Sequence, residues 1–207
     1  MQEIGLFPLG MVLLPSERVP LHIFEERYKE LVRECLAADQ PFGLILVEDE
    51  ELADVGTLAH VAELTREFPD GRMNIVIEGL QRFRIVETTS GRSFATARIS
   101  ELDDNAGDAT TDETDELLAA FAELAEAAQA EAPTVSPKAG HVSFQLAALV
   151  ELDNAPRQEL LELDSEAART GYLTNLFEEL TRNIRRQALV RSRAESNGRV
   201  DSRGRTA

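Results

Sequence analysis

The chain has 207 residues, of which 43% are hydrophobic and 29% charged, and a formal net charge of −17 at pH 7. That apolar content is enough to bury one core or two small ones, whereas the acidic excess disfavours nucleic acid as a partner, because nonspecific binding rests on lysine and arginine neutralising phosphates. No run approaches the roughly 20 apolar residues that span a bilayer, and Met1 to Ile4 lack the basic start of a secretory signal, so a cytoplasmic protein without a membrane partner is expected.

Residues 1–102 read as a β-rich lobe of short strands broken by turn residues, with one helix inserted. In the helix, Tyr28, Leu31, Val32, Cys35 and Leu36 fall on one face. Cys35, the only cysteine, is thereby read as a core residue; it excludes an intramolecular disulfide and any multi-cysteine metal site. Phe42 to Val47 is a continuous apolar run that suits a strand buried on both faces. Asp70-Gly71 signals a hairpin turn, and after it Met73, Ile75 and Ile77 alternate with Asn74, Val76 and Glu78. Phe83 and Ile85 alternate with Arg82 and Arg84, giving a half-buried strand whose other face carries positive charge. Gly91 turns the chain toward a strand near Phe94 to Ile99.

Residues 103–116 are acidic and poor in apolar side chains, which predicts a flexible connection. A helical lobe follows over 117–190: Leu117 to Ala130, Gly140 to Leu152, a short helix begun by Asn154 with Pro156 in its first turn, and a long helix after Ser165. Leu173, Leu176, Phe177, Leu180 and Ile184 form the apolar stripe of the last helix. From 191 to 207 the apolar period fails, and a disordered basic tail is expected. Residues 1–100 hold 10 basic and 17 acidic side chains, residues 101–190 hold 6 and 19, and the tail holds 5 and 2, so the acidity belongs mostly to the helical half.

Catalytic signatures are sparse. There is no Gly-Lys pair, so a P-loop is excluded. Lys29 and Lys138 are the only lysines, and a Ser-Lys peptidase is restricted to Ser136 with Lys138, a pair that reads better as a helix-capping loop punctuated by Pro137 and Gly140. His22, His60 and His141 lack paired-ligand spacing, and the runs Glu48 to Glu51 and Asp103-Asp104 lack the spaced oxygens of a calcium loop, so no metal and no cofactor are expected. His22, three residues before Glu25, is read as part of a strand-to-helix junction rather than an acid-base couple.

The stretch Leu6-Phe7-Pro8-Leu9-Gly10-Met11-Val12-Leu13-Leu14-Pro15, followed by Val19-Pro20-Leu21-His22-Ile23-Phe24-Glu25-Glu26-Arg27-Tyr28, resembles the opening of the Lon N-terminal, or LON substrate-binding, domain family. Further matches come in the same order: Phe42-Gly43, Val55-Gly56-Thr57, Asp70-Gly71-Arg72, Gly79 with Leu80, Arg82 and Phe83, and Gln158 to Glu162. The resemblance covers the chain to about Ala188. It implies an α+β fold, with a PUA-like β-barrel lobe carrying an inserted helix and followed by a helical bundle lobe. Lacking a P-loop and a credible Ser-Lys dyad, the chain departs from full-length Lon proteases and is expected to be a free-standing recognition module without ATPase or peptidase.

The function expected on this basis is non-enzymatic binding of unfolded or exposed hydrophobic polypeptide segments, as an adaptor or holdase that acts beside a protease or chaperone encoded elsewhere. The expected contact residues are Met11, Leu14 and Pro15 in the proline-rich loop, with Phe24, and with Arg27 and Arg82 pairing with acidic groups on a client. The rivals are a scaffold for a specific folded partner and RNA or small-ligand binding through the PUA-like lobe, the RNA reading being opposed by the charge.

Overall fold

A computed structural model describes residues 2–104, 107–133, 135 and 141–197, with side chains described as far as Arg191. The first half is β1 (Gln2–Leu9), β2 (Arg18–Ile23), α1 (Glu26–Ala38), β3 (Phe42–Glu48), β4 (Glu51–Leu52), β5 (Val55–Glu67), β6 (Met73–Thr89) and β7 (Thr96–Leu102). The second half is α2 (Thr111–Ala128), α3 (Val142–Ala147), α4 (Asn154–Glu162) and α5 (Glu166–Asn197). The expected α+β architecture, a β lobe with one inserted helix followed by a helical lobe, is the one observed.

The sheet closes on itself. β1 pairs antiparallel with β7 through its first half and parallel with β3 through its second, completing the ring β1-β7-β6-β5-β3. Ile4, Leu6, Ile45, Leu58, Phe83, Ala97 and Ile99 fill its interior. Phe83 explains two glycines in the wall: a Cβ on Gly43 or on Gly56 would lie 2.7 Å from its ring tip, closer than a packed core tolerates. A second core lies under α1, where Tyr28, Leu31 and Val32 meet Phe7, Phe42, Met73, Ile75 and Ile77, with Phe7 stacked on Tyr28 at 4.0 Å. The predicted stripe of α1 thins toward its end, since Cys35 is half-buried and Leu36 is 40% exposed.

Three boundaries differ from expectation. The strands predicted at Met73 to Glu78 and around Phe83 are one 17-residue strand, irregular where Thr57 faces Arg82 but Ala59 faces Gly79. α2 begins at Thr111, inside the stretch expected to be a connection, because Thr110 and Glu113 form a reciprocal capping box that satisfies two orphan donors. α5 continues past residue 190 to Asn197, while residues 198–207 lie outside the described residues. Ser136 and Lys138, the restricted dyad, also lie outside them.

The helical lobe packs α2 against α5 through Leu117, Phe121, Leu124, Leu173 and Phe177. Val12, Leu14, Leu46 and Val55 of the β lobe belong to the same cluster, so the lobes share a hydrophobic seam.

Candidate functional site

The proline-rich loop between β1 and β2 runs through that seam. Arg157 of α4 is buried and donates to the Val12 carbonyl from Nε at 3.2 Å and from Nη2 at 3.0 Å. It also pairs with Glu17, whose carboxylate accepts the Leu14 N–H at 2.9 Å. Asn154 Nδ2 donates to the Gly10 carbonyl at 3.1 Å, and Thr57 Oγ1 to the Leu13 carbonyl at 2.6 Å. Gly79 lets the loop settle on β6, since a Cβ there would lie 2.2 Å from the Leu14 carbonyl oxygen. Leu14 is 0% exposed and Pro15 is buried. The expectation that Leu14 and Pro15 touch a client is therefore corrected: Leu14 lies inside the seam that joins the lobes, and Pro15 is buried next to it in the chain. Met11, part-exposed, is the one predicted loop contact with access to solvent.

Arg82 requires the same correction. It is 4% exposed, with Nη1 donating to the Leu161 and Leu163 carbonyls at 2.8 and 2.6 Å and Nη2 bound to Asp104 at 2.6 Å. The strand face that the sequence leaves open to solvent is covered here by the end of α4.

Asp104 also accepts from Arg169 of α5, through both guanidinium Nη atoms. Arg169 is 0% exposed. It bonds Glu166, Ser143 and the Leu163 carbonyl, and its guanidinium lies 4.4 Å from the Phe144 ring centre. Burial opposes ionisation of Asp104, but the hydrogen bonds from Arg169 and the charges of Arg169 and Arg82 outweigh it and hold the carboxyl below its usual range. Burial and repulsion from Arg169 lower Arg82, with Asp104 opposing.

Ligand atoms of Asp104, His141 and Glu166 lie within 4.8 Å of one another. Arg169 Nη2 bonds Asp104 Oδ2, lies 2.9 Å from Glu166 Oε2 and comes within 3.4 Å of His141 Nδ1. A side-chain cation thus holds the position a metal ion would need, and the cluster is a structural ion-pair hub. It draws on β6, the segment after β7, α3 and α5.

The other chemical candidates are also engaged. His22 Nδ1 pairs with Asn74 Oδ1 at 2.6 Å, while Glu25 is taken by Arg27 at 2.7 Å, so the two do not form an acid-base couple. Burial, with Glu34 adding to it, pushes the Cys35 thiol up to about 11, which keeps it protonated and a weak nucleophile near neutrality.

Phe24 and Arg27 do face solvent. Phe24 is 61% exposed. His22 stacks beside it at 6.1 Å and meets Phe68 edge-on at 6.1 Å. The Arg66 and Arg72 guanidinium carbons lie 4.5 and 5.1 Å from the Phe68 ring centre, and that of Arg27 lies 4.6 Å from that of Tyr28. The Phe68–Gly71 turn, closed by the Gly71 N–H donating to the Phe68 carbonyl at 2.8 Å, brings Phe68 and Arg72 to the end of β2. This aromatic and arginine cluster is the accessible candidate surface.

A family model described as the ATP-dependent protease La (LON) substrate-binding domain matches residues 3–179. The chain belongs to this family. Similar curated relatives include the Lon protease of Cytophaga hutchinsonii, 25% identical over 186 residues that make up 82% of this chain and 23% of that protein. The Lon protease of Trichlorobacter lovleyi is 26% identical over 192 residues, 84% of this chain and 23% of that protein. The chain thus spans less than a quarter of those proteases' length, and the part matched is the non-catalytic substrate-binding domain. The solved Lon N-terminal domain protein from Xanthomonas campestris superposes with a TM-score of 0.66 at 26% identity, over 84% of this chain and 97% of that one. The N-terminal domain of a Mycobacterium avium complex Lon protease, at 15% identity, shows the same fold with a TM-score of 0.63 over 87% and 98%. No described helix of this LON substrate-binding domain is long and apolar enough to cross a membrane.

Proposed function

We propose that this domain recognises exposed segments of unfolded polypeptide without chemistry of its own, as an adaptor or holdase that passes cargo to a protease or chaperone encoded elsewhere. The observation that carries the reading is the solvent-facing cluster of Phe24, His22 and Phe68 flanked by Arg27, Arg66 and Arg72. A large exposed aromatic ring beside arginine is the composition of a binding anchor, and the family is one of substrate-binding domains. The aromatic faces take apolar side chains, while the arginines meet carboxylates and main-chain carbonyls.

The test is binding of fluorescein-labelled, denatured casein to the full chain, against a folded control protein, with and without ATP, with cleavage followed by gel. Selective binding that ignores ATP and leaves the casein intact is expected. Equal affinity for the folded control, or cleavage, overturns the reading.

A further inference from the structure

β2 is paired on one side only. Its register with β6 runs from Arg18 opposite Glu78 to Ile23 opposite Met73, and among the described residues no other strand pairs with it. The direction of its main-chain groups follows from the bond just before it. The Gly79 N–H donates to the Glu17 carbonyl at 2.9 Å, so the pair preceding Arg18 and Glu78 is a hydrogen-bonded one. Hydrogen-bonded and non-hydrogen-bonded pairs alternate along an antiparallel ladder. Val19, Leu21 and Ile23 therefore bond to β6, and the main-chain groups of Arg18, Pro20 and His22 point away from it.

Two further features agree with this assignment. Proline is accommodated in a sheet where its missing donor faces outward, and Pro20 occupies such a position. His22 reaches the side chain of Asn74, its direct partner, at 2.6 Å, the close approach typical of a non-hydrogen-bonded pair. The outward N–H groups of Arg18 and His22, and the carbonyls of Arg18, Pro20 and His22, have no protein partner among the described residues.

We infer that the free edge of β2 takes up an extended segment of client polypeptide as an added β-strand; this rests on the recognition function proposed above. Only the main chain of an extended polypeptide repeats donors and acceptors at the spacing of every second residue of β2, about 6.7 Å. Its side chains also find partners. Leu21, Ile75 and Leu64 form one cross-strand row and Val19, Ile77 and Val61 another, and Val19 and Leu21 are only half-buried at the β2 end of those rows. Alternate apolar side chains of an added strand extend both rows, with Phe24 exposed at the end of the edge.

A second copy is a poorer occupant. Self-pairing of two β2 edges about Pro20 sets proline against proline, leaves carbonyls unmatched and places Arg18 of one copy beside His22 of the other, all devices that blunt edge-to-edge association. The substrate class is thus an extended, sequence-tolerant segment with alternating apolar residues. Folded proteins, most of whose strand edges are paired or blunted, are poorer clients.

The experiment uses the full chain and a labelled nine-residue peptide of alternating valine and threonine with a lysine at each end. Two further peptides carry the same side chains with N-methyl groups on either the odd or the even amides. Strand addition predicts that one methylated set loses tenfold or more in affinity while the other binds within about twofold of the parent. On the protein, His22→Pro removes an outward donor and is expected to lose tenfold or more. His22→Ala keeps that donor while losing the ring and its Asn74 bond, so it is the reference against which the tenfold loss in His22→Pro is read. Far-UV circular dichroism verifies that both variants are folded.

Equal binding by the two methylated sets, or a folded His22→Pro chain that binds as His22→Ala does, overturns the edge while leaving recognition intact. Failure of denatured casein to bind at all removes the recognition function itself. A concentration-dependent dimer that competes with the peptide and is lost in His22→Pro assigns the edge to a second copy and also overturns the proposal.

Discussion

Two groups of arginines in this molecule do opposite work. Arg82, Arg157 and Arg169 are buried at the junction of the lobes, where each guanidinium is matched to a carboxylate and to at least one main-chain or side-chain acceptor. Arg27, Arg66 and Arg72 lie in solvent beside aromatic rings at the far end of β2. A buried charge stripped of its partner is expensive, whereas an exposed ion pair is worth little to stability and can be exchanged for a ligand. The sequence reading placed Arg82 and Arg27 in one role; the fold separates them by burial, and stability and binding should separate with them.

The largest effect is expected at the hub. Arg169→Met leaves Asp104 and Glu166 without their principal partner and should cost about 3–5 kcal/mol by chemical denaturation, the range for breaking a buried pair from one side. Leu14→Ala should cost about 2–5 kcal/mol, the range for truncating a core leucine, and should lower affinity for unfolded casein only in proportion to the unfolded fraction. A Leu14→Ala chain that is as stable as wild type but has lost binding would return this loop to the contact surface.

Acid provides the next test. The folded pKa of Asp104 is depressed, so its contribution to stability is present above the unfolded value of about 3.9 and is lost as pH falls through the lower folded value. Denaturation midpoints should drop below about pH 4, and Asp104→Asn should flatten that decline while lowering stability at pH 7. A decline of unchanged steepness in Asp104→Asn assigns it to other carboxylates.

The fold was legible where residue patterns act locally: the stripe of α1, the alternation of Met73, Ile75 and Ile77, and the Asp70-Gly71 turn each follow from period or turn chemistry. The lobe junction was not legible, because it joins residues more than 60 positions apart, as in the Asp104–Arg169 pair. One signal for it was present. Arg169 stands four residues before Leu173 and eight before Phe177 on the apolar stripe of α5, and Arg157 stands three and four before Leu160 and Leu161 on that of α4. An arginine at a core position of a helical stripe asks for a buried acid elsewhere. Likewise, Thr110 with Glu113 is a capping box written in the sequence, and it marks the start of α2 inside the expected connection. Of the six residues expected to touch a client, Phe24, Arg27 and Met11 keep access to solvent; the family motif around Leu14 reads more directly as a folding element.

The smallest effects on stability, and the ones that complete the separation, belong to the exposed group. Arg72→Gln removes a half-exposed pair with Asp70 and a guanidinium that lies 5.1 Å from the Phe68 ring centre, so its stability should stay within about 0.5 kcal/mol of wild type. Phe24→Ser should do the same, since a ring 61% exposed leaves little packing to lose. In casein binding the order should reverse: Phe24→Ser is expected to weaken affinity about tenfold, and Arg72→Gln by about twofold to threefold, through loss of the charge beside Phe68. Denaturation and binding measured on the same two preparations decide the matter. If Phe24→Ser binds casein as wild type does, the exposed cluster is ordinary surface, and the contact region must be sought around Met11 and the outer faces of the helical lobe.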